Sequence, residues 1–395
     1  MHDRAIMDRR NFLKSTSGLT AGVALTGCLP RATSTVAPTS TSAGARIDLV
    51  PVNVSWDRII RTTVGLRPHR DSGFVVRADR FDEKTLIHDY GHGGTGFSLG
   101  WGTGLLATEL ALASTQRTVA VIGAGAVGLM AARMLQRHGF AVTVYAASLP
   151  PDTTSNMAWA AFTPTSGLIS AERRTPEWDA QFRRAVDVSY REHQLLVGRG
   201  YGVSWINDFA VNNGPVQAGD ASGATAVFRD SVGPGLMPPG MTLPRTRLEP
   251  GMHPFSAPYA SYAPTLRFEP SIYLDALLRD VVSFGGRIVV RRFESVRDLA
   301  ALPEPIIVNC TGLGAKALFG DDQLVPVKGQ LVVVVPQPEV NYSVAGMMPR
   351  SDGIVLGHVA QSGVWDMSID EAERKRVVDR AIAFFGGMHS PRGIG

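Results

Sequence analysis

The sequence predicts an α/β protein in which a Rossmann-type nucleotide domain is joined to an α+β domain with a mixed antiparallel sheet. A β-branched run at 119–122 leads directly into the glycines of Gly-Ala-Gly-Ala-Val-Gly at 123–128. Helical spacing follows from Ala126 to His138, and Ala141–Tyr145 predicts the next strand, so these residues form one βαβ unit. Residues 200–270 consist of short strand-like runs between Pro/Gly loops, which is typical of an antiparallel sheet.

The glycine-rich turn has around it the strand and helix that a dinucleotide fingerprint requires. Gly123 and Gly125 allow a tight turn and the close approach of a pyrophosphate to the helix N-terminus, and Gly128 lets the helix pack on the strand. An acidic residue that would bind the ribose hydroxyls is missing after the second strand, where Ala147 and Ser148 stand. An NAD site depends heavily on that contact, so the sequence favours a dinucleotide that is anchored more widely.

Apolar patterns elsewhere predict the remaining elements. Helices are predicted at about 104–113 and at 172–198, 271–284 and 370–385, and a buried strand at 306–309 returns to the nucleotide domain. This strand ends in Cys310, which we interpret as a small buried apolar residue rather than as a nucleophile.

Composition and charge indicate an ordinary globular enzyme of about two domains and argue against a nucleic-acid partner. The chain has 395 residues, of which 44% are hydrophobic and 19% charged, with a net charge of +4. The first 27 residues contribute half of that net charge, and no cluster of Lys and Arg follows them. We therefore expect no nucleic-acid partner.

The N-terminus predicts export. Asp8-Arg-Arg-Asn-Phe-Leu-Lys14 resembles a twin-arginine signal, and the apolar run Gly18–Gly27 is too short to span a bilayer. Leu25-Thr-Gly-Cys28 resembles a lipobox, in which Cys28 would carry a lipid and tether the protein to the membrane. The alternative is a Sec-type leader with an incidental cysteine. We predict an export signal at 1–28, a disordered linker at 29–45 and a periplasmic or cell-envelope location.

Two further motifs precede the fingerprint. Gly-Leu-Arg-Pro ends a predicted strand at Pro68, and the block Leu86-Ile-His-Asp-Tyr-Gly-His-Gly-Gly-Thr-Gly-Phe-Ser-Leu-Gly-Trp-Gly102 follows it. Together with the fingerprint, these motifs resemble the D-amino-acid oxidase family of FAD enzymes over nearly all of 46–390. Asp89 stands where that family usually has Asn, and Gly104 where it usually has Ala.

The order of these motifs is reversed relative to the family, in which the fingerprint opens the chain and the Gly/His block closes it. The two early motifs keep the family's order and spacing, and no second copy follows the predicted helix at 370–385. We interpret the chain as a circular permutant, in which the last segment of the family precedes the first. The alternative is a chance glycine-rich segment in front of a truncated flavoprotein.

The resemblance implies a fold of an FAD-binding Rossmann-type domain plus an α+β substrate domain, with FAD as the cofactor. The FAD-binding domain would comprise 46–165 and 306–330, and the substrate domain 166–305 and 331–395. The positions that match the family's cofactor-binding residues are Gly93, Gly94, Gly96, Phe97, Ser98, Gly123, Ala124, Gly125, Val127, Gly128, Thr153, Thr154, Ser155, Ala160, Ala161 and Gly312.

The reaction that the resemblance implies is oxidation of an α-amino acid, with a hydride passing from the α carbon to flavin N5. Arg67 matches the arginine that binds the substrate carboxylate, a task that suits a planar bidentate cation; its alternative role is a structural one. Gly94 matches the glycine whose carbonyl accepts the substrate amine. We interpret His88 and His92 as structural, and we expect no metal.

The loop that forms the substrate lid in the family is the region in which this sequence departs most from the family pattern. The connection Pro336–Tyr342 is short, and Gly346 stands where the family often has a substrate-binding tyrosine. Tyr342 is a candidate replacement, although it is equally compatible with a core position. Arg267 would select a second carboxylate if it pointed into the site.

Three functions are compatible with these residues. The first is an exported FAD-dependent enzyme that oxidatively deaminates D-amino acids to imino or 2-oxo acids. The second is a related amine oxidase acting on glycine or sarcosine. The third is a flavin-binding lipoprotein without turnover, which the missing lid tyrosine favours and Arg67 opposes.

Overall fold

The computed structural model describes residues 46–214, 232, 233, 235–241, 243–357 and 359–389. The predicted export signal at 1–28, with Cys28, and the predicted linker at 29–45 lie outside these residues. Within the described part, no helix is long and apolar enough to cross a membrane.

The described chain forms two sheets and seven helices of five residues or more. The strands are β1 (Ile59–Arg70), β2 (Val75–Phe81), β3 (Lys84–Tyr90), β4 (Thr118–Ile122), β5 (Ala141–Ala146), β6 (Val203–Asn212), β7 (Thr246–Leu248), β8 (Tyr259–Phe268), β9 (Arg287–Val290), β10 (Ile306–Asn309), β11 (Leu324–Val334), β12 (Tyr342–Val344), β13 (Met347–Arg350), β14 (Gly353–Leu356) and β15 (Gln361–Ser362). The helices are α1 (Gly96–Leu112), α2 (Ala126–Arg137), α3 (Pro176–Leu196), α4 (Pro270–Ser283), α5 (Val296–Ala300), α6 (Gly314–Phe319) and α7 (Glu371–Gly386).

The first sheet contains the nucleotide fingerprint and has the order β2-β3-β10-β4-β5-β9. Strands β3, β10, β4, β5 and β9 run parallel, and β2 is added antiparallel at the edge. Side chains alternate between its two faces. Val121 and Val308 face the core shared with α1 to α4, whereas Ile122 and Ile307 pack with Leu299 of α5 on the opposite face. The predicted Rossmann-type domain is confirmed.

Helix α1 begins at Gly96, not near Gly104 as the sequence predicts, so the end of the Gly/His block from Gly96 to Gly102 is helical. Glycine is a poor helix former, and this explains the error. The reason for the glycines is close packing. A Cβ at Gly102 would lie 2.0 Å from the carbonyl oxygen of Ala185 in α3, and one at Gly104 would lie 2.9 Å from the Cα of Ala131 in α2.

A buried chain of hydrogen bonds ties α1 to α3 and α4. The indole N–H of Trp101 donates to the Tyr273 hydroxyl at 2.7 Å, and this hydroxyl lies 3.3 Å from Nδ1 of His193. His193 Nε2 lies 2.7 Å from the carbonyl oxygen of Phe97. Burial lowers the pKa of His193 to about 3, so a neutral ring donates from Nε2 and accepts at Nδ1. Every polar group of this chain is satisfied, which fixes the start of α1.

The second sheet has nine strands in the order β1-β11-β14-β13-β12-β6-β8-β7, with β15 also paired to β11. Its neighbours are antiparallel except β12 and β6, so the predicted mixed antiparallel sheet is confirmed. Helix α7 covers one face, where Val378 and Phe385 pack against Val332 and Ile354.

The predicted domain boundaries need correction in three places. Strand β1, expected in the FAD-binding domain at 46–165, pairs along its whole length with β11 in the large sheet. The stretch 166–305 was expected in the substrate domain, yet β9 joins the parallel sheet, and α3 and α4 pack in its core. Strand β11 begins at Leu324, inside the predicted 306–330 segment. The described residues all belong to one compact unit, and the chain passes between the sheets more often than the sequence suggests.

We expect Gly102→Ala to destabilise the protein by about 1–3 kcal/mol or more, because the added methyl group would overlap the backbone of α3. Gly386→Ala is the matched control, since it also replaces a helical glycine but meets nothing within 4 Å. The control should be neutral or slightly stabilising. Equal free energies of unfolding for the two variants in urea titrations would show that α1 does not need its glycine.

Candidate active site

A cavity of about 670 Å³ lies where the carboxyl ends of the parallel strands meet the large sheet. This edge of a parallel sheet is where nucleotide sites form in α/β proteins. The predicted site residues that line it are Arg67, Gly93, Gly94, Gly96, Phe97, Gly123, Ala124, Gly125, Val127, Gly128, Thr153, Thr154, Ser155, Ala160, Ala161 and Gly312. Residues from five separate stretches of the chain therefore meet at one cavity.

The glycine turn between β4 and α2 forms one end of the cavity. Gly123 has φ of +118°, and a Cβ there would lie 2.5 Å from the carbonyl oxygen of Cys310. A Cβ at Gly128 would lie 2.1 Å from the carbonyl oxygen of Gly123. The backbone can thus approach a ligand at the N-terminus of α2, where the helix dipole favours a phosphate. The Ser155 hydroxyl accepts a hydrogen bond of 2.9 Å from the N–H of Ala126, which joins the loop that contains Thr153 and Thr154 to this helix end.

Residues 158–161 also line the cavity and are held against β8. The N–H of Phe268 donates to the carbonyl oxygen of Ala160 at 3.0 Å, and Ala161 forms a β-bridge with Arg267. Ala160 has φ of +59°, a left-handed conformation that costs an alanine about 1–2 kcal/mol. A glycine at this position would adopt the same conformation without this strain.

Ser98 was predicted to bind the cofactor, and the structure corrects this prediction. Ser98 lies inside α1 with 1% of its surface exposed, and it does not line the cavity. Its hydroxyl accepts a hydrogen bond of 2.9 Å from the N–H of Thr163. The helical turn that begins at Gly96 directs it inward, so Ser98 supports the lining segment from behind.

Arg67 lies on β1, and its guanidinium reaches into the cavity between two glycines. A Cβ at Gly94 would lie 3.6 Å from Cδ of Arg67, and one at Gly329 would lie 3.2 Å from its Nη2. Burial lowers the pKa of Arg67 from its usual value, yet a guanidinium keeps its charge at physiological pH. The absence of side chains on both glycines leaves room for this planar cation and for an anion that it binds.

Tyr342 was predicted as a substrate-binding residue, and this prediction is wrong. It is 1% exposed, and its hydroxyl donates to the carbonyl oxygen of Val50 at 2.8 Å, away from the cavity. The short connection before it is held by Gln337, whose side chain bonds the N–H and the carbonyl of Asn53 at 2.8 and 3.2 Å. This connection packs beside the N-terminal segment and does not cover the cavity.

Arg267 also lies outside the cavity lining. Its Nη1 donates to the carbonyl oxygen of Pro349 at 2.8 Å and its Nε to the Ser204 hydroxyl at 3.1 Å, which ties neighbouring strands together. It therefore does not select a second carboxylate.

The two histidines of the Gly/His block are held in structural contacts. His88 Nε2 lies 3.1 Å from Asp79, and His92 Nε2 lies 3.0 Å from the Thr103 hydroxyl while its ring stacks on Phe74. Burial lowers the pKa of His92 to about 3, so the ring is neutral. Among the described residues, no group of three or more acidic, Cys or His side chains could hold a metal ion.

Asp89 is a cavity residue whose role the sequence did not suggest. Its side chain is fully buried at the end of β3, and neither oxygen makes a hydrogen bond of good geometry, although His92 Nε2 lies 3.6 Å from Oδ1. Burial raises the pKa of Asp89 to about 8, with a partial offset from Thr103. The carboxyl group is therefore protonated at neutral pH. In this form it can donate a hydrogen bond, as the side-chain amide of the family's Asn can.

Several other lining residues were not predicted. Asp152 lies near the corner where the ribose-binding acid is missing, and Trp159 precedes the predicted Ala160. Gly329 and Leu331 come from β11, and Glu373 and Arg376 from α7. Adjacency to the predicted Ala160 could have indicated Trp159, but the sequence contains no signal for the α7 residues.

Comparison with known families agrees with this geometry. The model of the DAO family, described as FAD dependent oxidoreductase, matches residues 118–393. The chain belongs to this family. Its cofactor is FAD, and the residues present fit that group, because the glycine turn can accept a pyrophosphate and the same cavity is lined by residues 158–161 and by Arg67.

Three curated relatives illustrate the range of the family. The chain is 28% identical over 271 residues to D-amino-acid oxidase of Rubrobacter xylanophilus, covering 67% of this chain and 76% of the relative. It is 24% identical over 282 residues to D-amino acid oxidase of Dugesia ryukyuensis, covering 68% and 78%. It is 26% identical over 281 residues to human D-aspartate oxidase, covering 69% and 76%.

Two solved structures are also similar. Glycine oxidase from Bacillus cereus ATCC 14579 has a TM-score of 0.46 at 12% identity, over 68% of this chain and 79% of that chain. Iminodiacetate oxidase from Chelativorans sp. BNC1 has a TM-score of 0.44 at 16% identity, with the same coverage.

The buried Asp89 predicts a pH dependence of stability. Its pKa is about 8 when folded and about 3.9 when unfolded, so its contribution is complete below pH 4 and is lost as pH rises to 8. The loss reaches about 1.4 kcal/mol per pH unit. Asp89→Asn should remove this slope and make the protein more stable than wild type at pH 8, as urea unfolding at pH 5.5 to 8 would measure. The exposed Asp275→Asn on α4 is the control and should keep the wild-type slope. Parallel pH profiles for Asp89→Asn and wild type would contradict the assignment.

Proposed function

We propose that the protein is an FAD-dependent oxidase or dehydrogenase of D-amino acids that forms imino acids and, after hydrolysis, 2-oxo acids. The observation that carries the proposal is the guanidinium of Arg67, which lines the cavity between Gly94 and Gly329. A buried cation in an otherwise largely apolar cavity favours a ligand with a carboxylate. The D-amino-acid oxidases among the relatives support this substrate class.

The residues of the site would act mainly by orientation. Arg67 would hold the substrate carboxylate in a bidentate pair, and the carbonyl of Gly94 would accept a hydrogen bond from the amine. When bound, FAD supplies the oxidation by accepting a hydride from the α carbon at N5. His92 is neutral and engaged with Thr103, so it does not act as a general base, and the substrate must bind with a neutral amine.

The second candidate is an amine oxidase of the glycine or sarcosine type, and the third is a flavin-binding protein without turnover. The position of the family's lid tyrosine is Gly346, and Tyr342 does not replace it; this keeps both alternatives open. Anaerobic reduction of the purified flavoprotein by D-alanine, D-phenylalanine, glycine and sarcosine separates the three. Reduction by glycine or sarcosine alone favours the second candidate, and reduction by none favours the third.

Arg67→Lys tests the proposal directly. Loss of the bidentate ion pair costs on the order of 2–4 kcal/mol, so kcat/KM for the best D-amino acid should fall about 30- to 1000-fold, mainly through KM. The flavin absorbance spectrum and FAD content should stay unchanged. Arg297→Lys, an exposed residue of α5, is the control and should leave both parameters as in wild type. Wild-type kinetics for Arg67→Lys would assign the carboxylate to another group.

We further propose that the chain is a circular permutant of the family. The N–H of Ile47 donates to the carbonyl of Met252 at 3.0 Å, and that of His389 to the carbonyl of Pro254 at 2.8 Å. Ile47, next to the start of the described chain, and His389, its last residue, thus bond to positions two residues apart, less than about 8 Å along an extended chain. Residues 46–117 precede the part that the family model matches, and they supply β1 to β3 and Arg67. Adjacent ends at the surface are what permutation requires.

A chain restored to the family's order tests this proposal. Residues 116–389 followed by a short Gly/Ser linker and 46–115 should fold, bind FAD and show the wild-type visible spectrum. The break falls in the exposed turn between α1 and β4. A control chain opened inside β11, between Gln330 and Leu331, should not fold, because this cut divides a central strand. Failure of the restored order to bind FAD would refute the permutation.

We also propose that the protein is exported by the twin-arginine route and is retained at the cell envelope through Cys28. The support is the sequence of the leader, since this route carries folded proteins with their cofactors. Changing both Arg9 and Arg10 to Lys should leave the protein in the cytoplasmic fraction, whereas Cys28→Ser should release it into the soluble periplasmic fraction. Unchanged fractionation of the Arg9/Arg10 variant would exclude the route.

A further inference from the structure

Trp159 forms a wall of the cavity that no motif assigns. Its indole N–H donates to the carbonyl oxygen of Gly346 at 3.2 Å, so the ring is held across the turn between β12 and β13. The ring packs against an apolar cluster that includes Leu331 and Met348. The indole therefore occupies space beside the very position at which the family's lid tyrosine is missing.

The distance from this wall to the guanidinium follows from strand geometry. Gly329 lies under the guanidinium of Arg67, and Leu331 is two residues further along β11 on the same face of the sheet. Two residues of an antiparallel strand span about 7 Å. An α-amino acid whose carboxylate binds Arg67 can therefore reach Leu331 and Trp159 with its side chain.

The charges around the cavity also favour a substrate with an apolar side chain. The arginines among its described lining residues are Arg67 and Arg376. The Nε of Arg376 donates to the carboxylate of Glu373 at 2.8 Å, within one turn of α7. A second substrate carboxylate would thus meet the apolar wall or an arginine that is already paired, and burying an unpaired charge there is unfavourable.

We propose that Trp159, together with Leu331, is the specificity-determining wall of the site and selects substrates with an apolar side chain over dicarboxylates. This inference rests on the proposed function, because it takes Arg67 as the anchor of the substrate carboxylate. It separates the protein by chemistry from the D-aspartate oxidases among its relatives.

Ligand binding tests the wall without requiring turnover. Calorimetry would measure the dissociation constants of acetate, butyrate, hexanoate and succinate with the FAD-loaded protein. Each buried methylene improves affinity about threefold to fourfold, so hexanoate should bind at least tenfold more tightly than acetate, and succinate no more tightly than butyrate. Trp159→Ala should lose most of the gain from acetate to hexanoate, while Trp159→Phe should keep it. Trp205→Ala removes an exposed tryptophan outside the cavity and is the control.

Each outcome decides the inference. An undiminished hexanoate gain in Trp159→Ala, with FAD content equal to wild type, would overturn it, as would succinate binding more tightly than butyrate. If Trp159→Ala does not retain FAD, the proposal is decided by the hexanoate gain of Trp159→Phe and by the affinity of succinate relative to butyrate. Turnover of D-norleucine and D-aspartate then addresses the proposed function separately. The expected binding pattern without flavin reduction would refute catalysis but keep the wall, whereas no binding of any carboxylate would refute both.

Discussion

The close packing of α1 against α2 and α3 is the constraint on which the rest of the site depends. Gly102 and Gly104 bring the helix backbone so near Ala185 and Ala131 that no side chain fits between them. Because α1 begins directly after the loop of Gly93 and Gly94, this contact sets the distance from that loop to the fingerprint turn at the start of α2. The chain of hydrogen bonds that runs from Trp101 through Tyr273 and His193 to the carbonyl of Phe97 then fixes the rotation of α1. Packing of backbone on backbone thus positions the polar groups that would face the cofactor.

The second half of the site depends on strand β1. This strand pairs along its length with β11, while the strands that follow it join the parallel sheet, so one short stretch connects both layers. Arg67 lies where the two layers meet, and its register with β11 puts Gly329 beneath the guanidinium. The same register places Leu331 at the distance of a substrate side chain. The proposed carboxylate binding and side-chain selection would therefore both follow from one strand pairing.

Electrostatics in the cavity are simple because most ionisable groups around it are neutral or paired. Burial keeps Asp89 protonated at neutral pH and His92 neutral, and Glu373 pairs with Arg376. The charge of Arg67 would thus be the main attraction for the proposed anionic substrate. A neutral Asp89 also avoids placing a negative charge near a bound pyrophosphate, which a carboxylate there would repel.

The sequence by itself determined the features that arise from local chemistry. The fingerprint glycines and the mixed α/β class could be predicted because a tight turn and a hydrophobic period each need particular residues at short spacing. Arg67 was indicated instead by the resemblance of Gly-Leu-Arg-Pro to the family's motif. The sequence misplaced the start of α1, since glycine within a helix is explained only by the neighbouring helix. It also misassigned Tyr342 and Ser98, whose environments depend on Val50 and Thr163, which are far away in sequence. The tertiary structure alone paired β1 with β11, placed Trp159 against Gly346 and brought Glu373 and Arg376 of α7 to the cavity. Strand register and helix packing join these residues, which no local pattern connects.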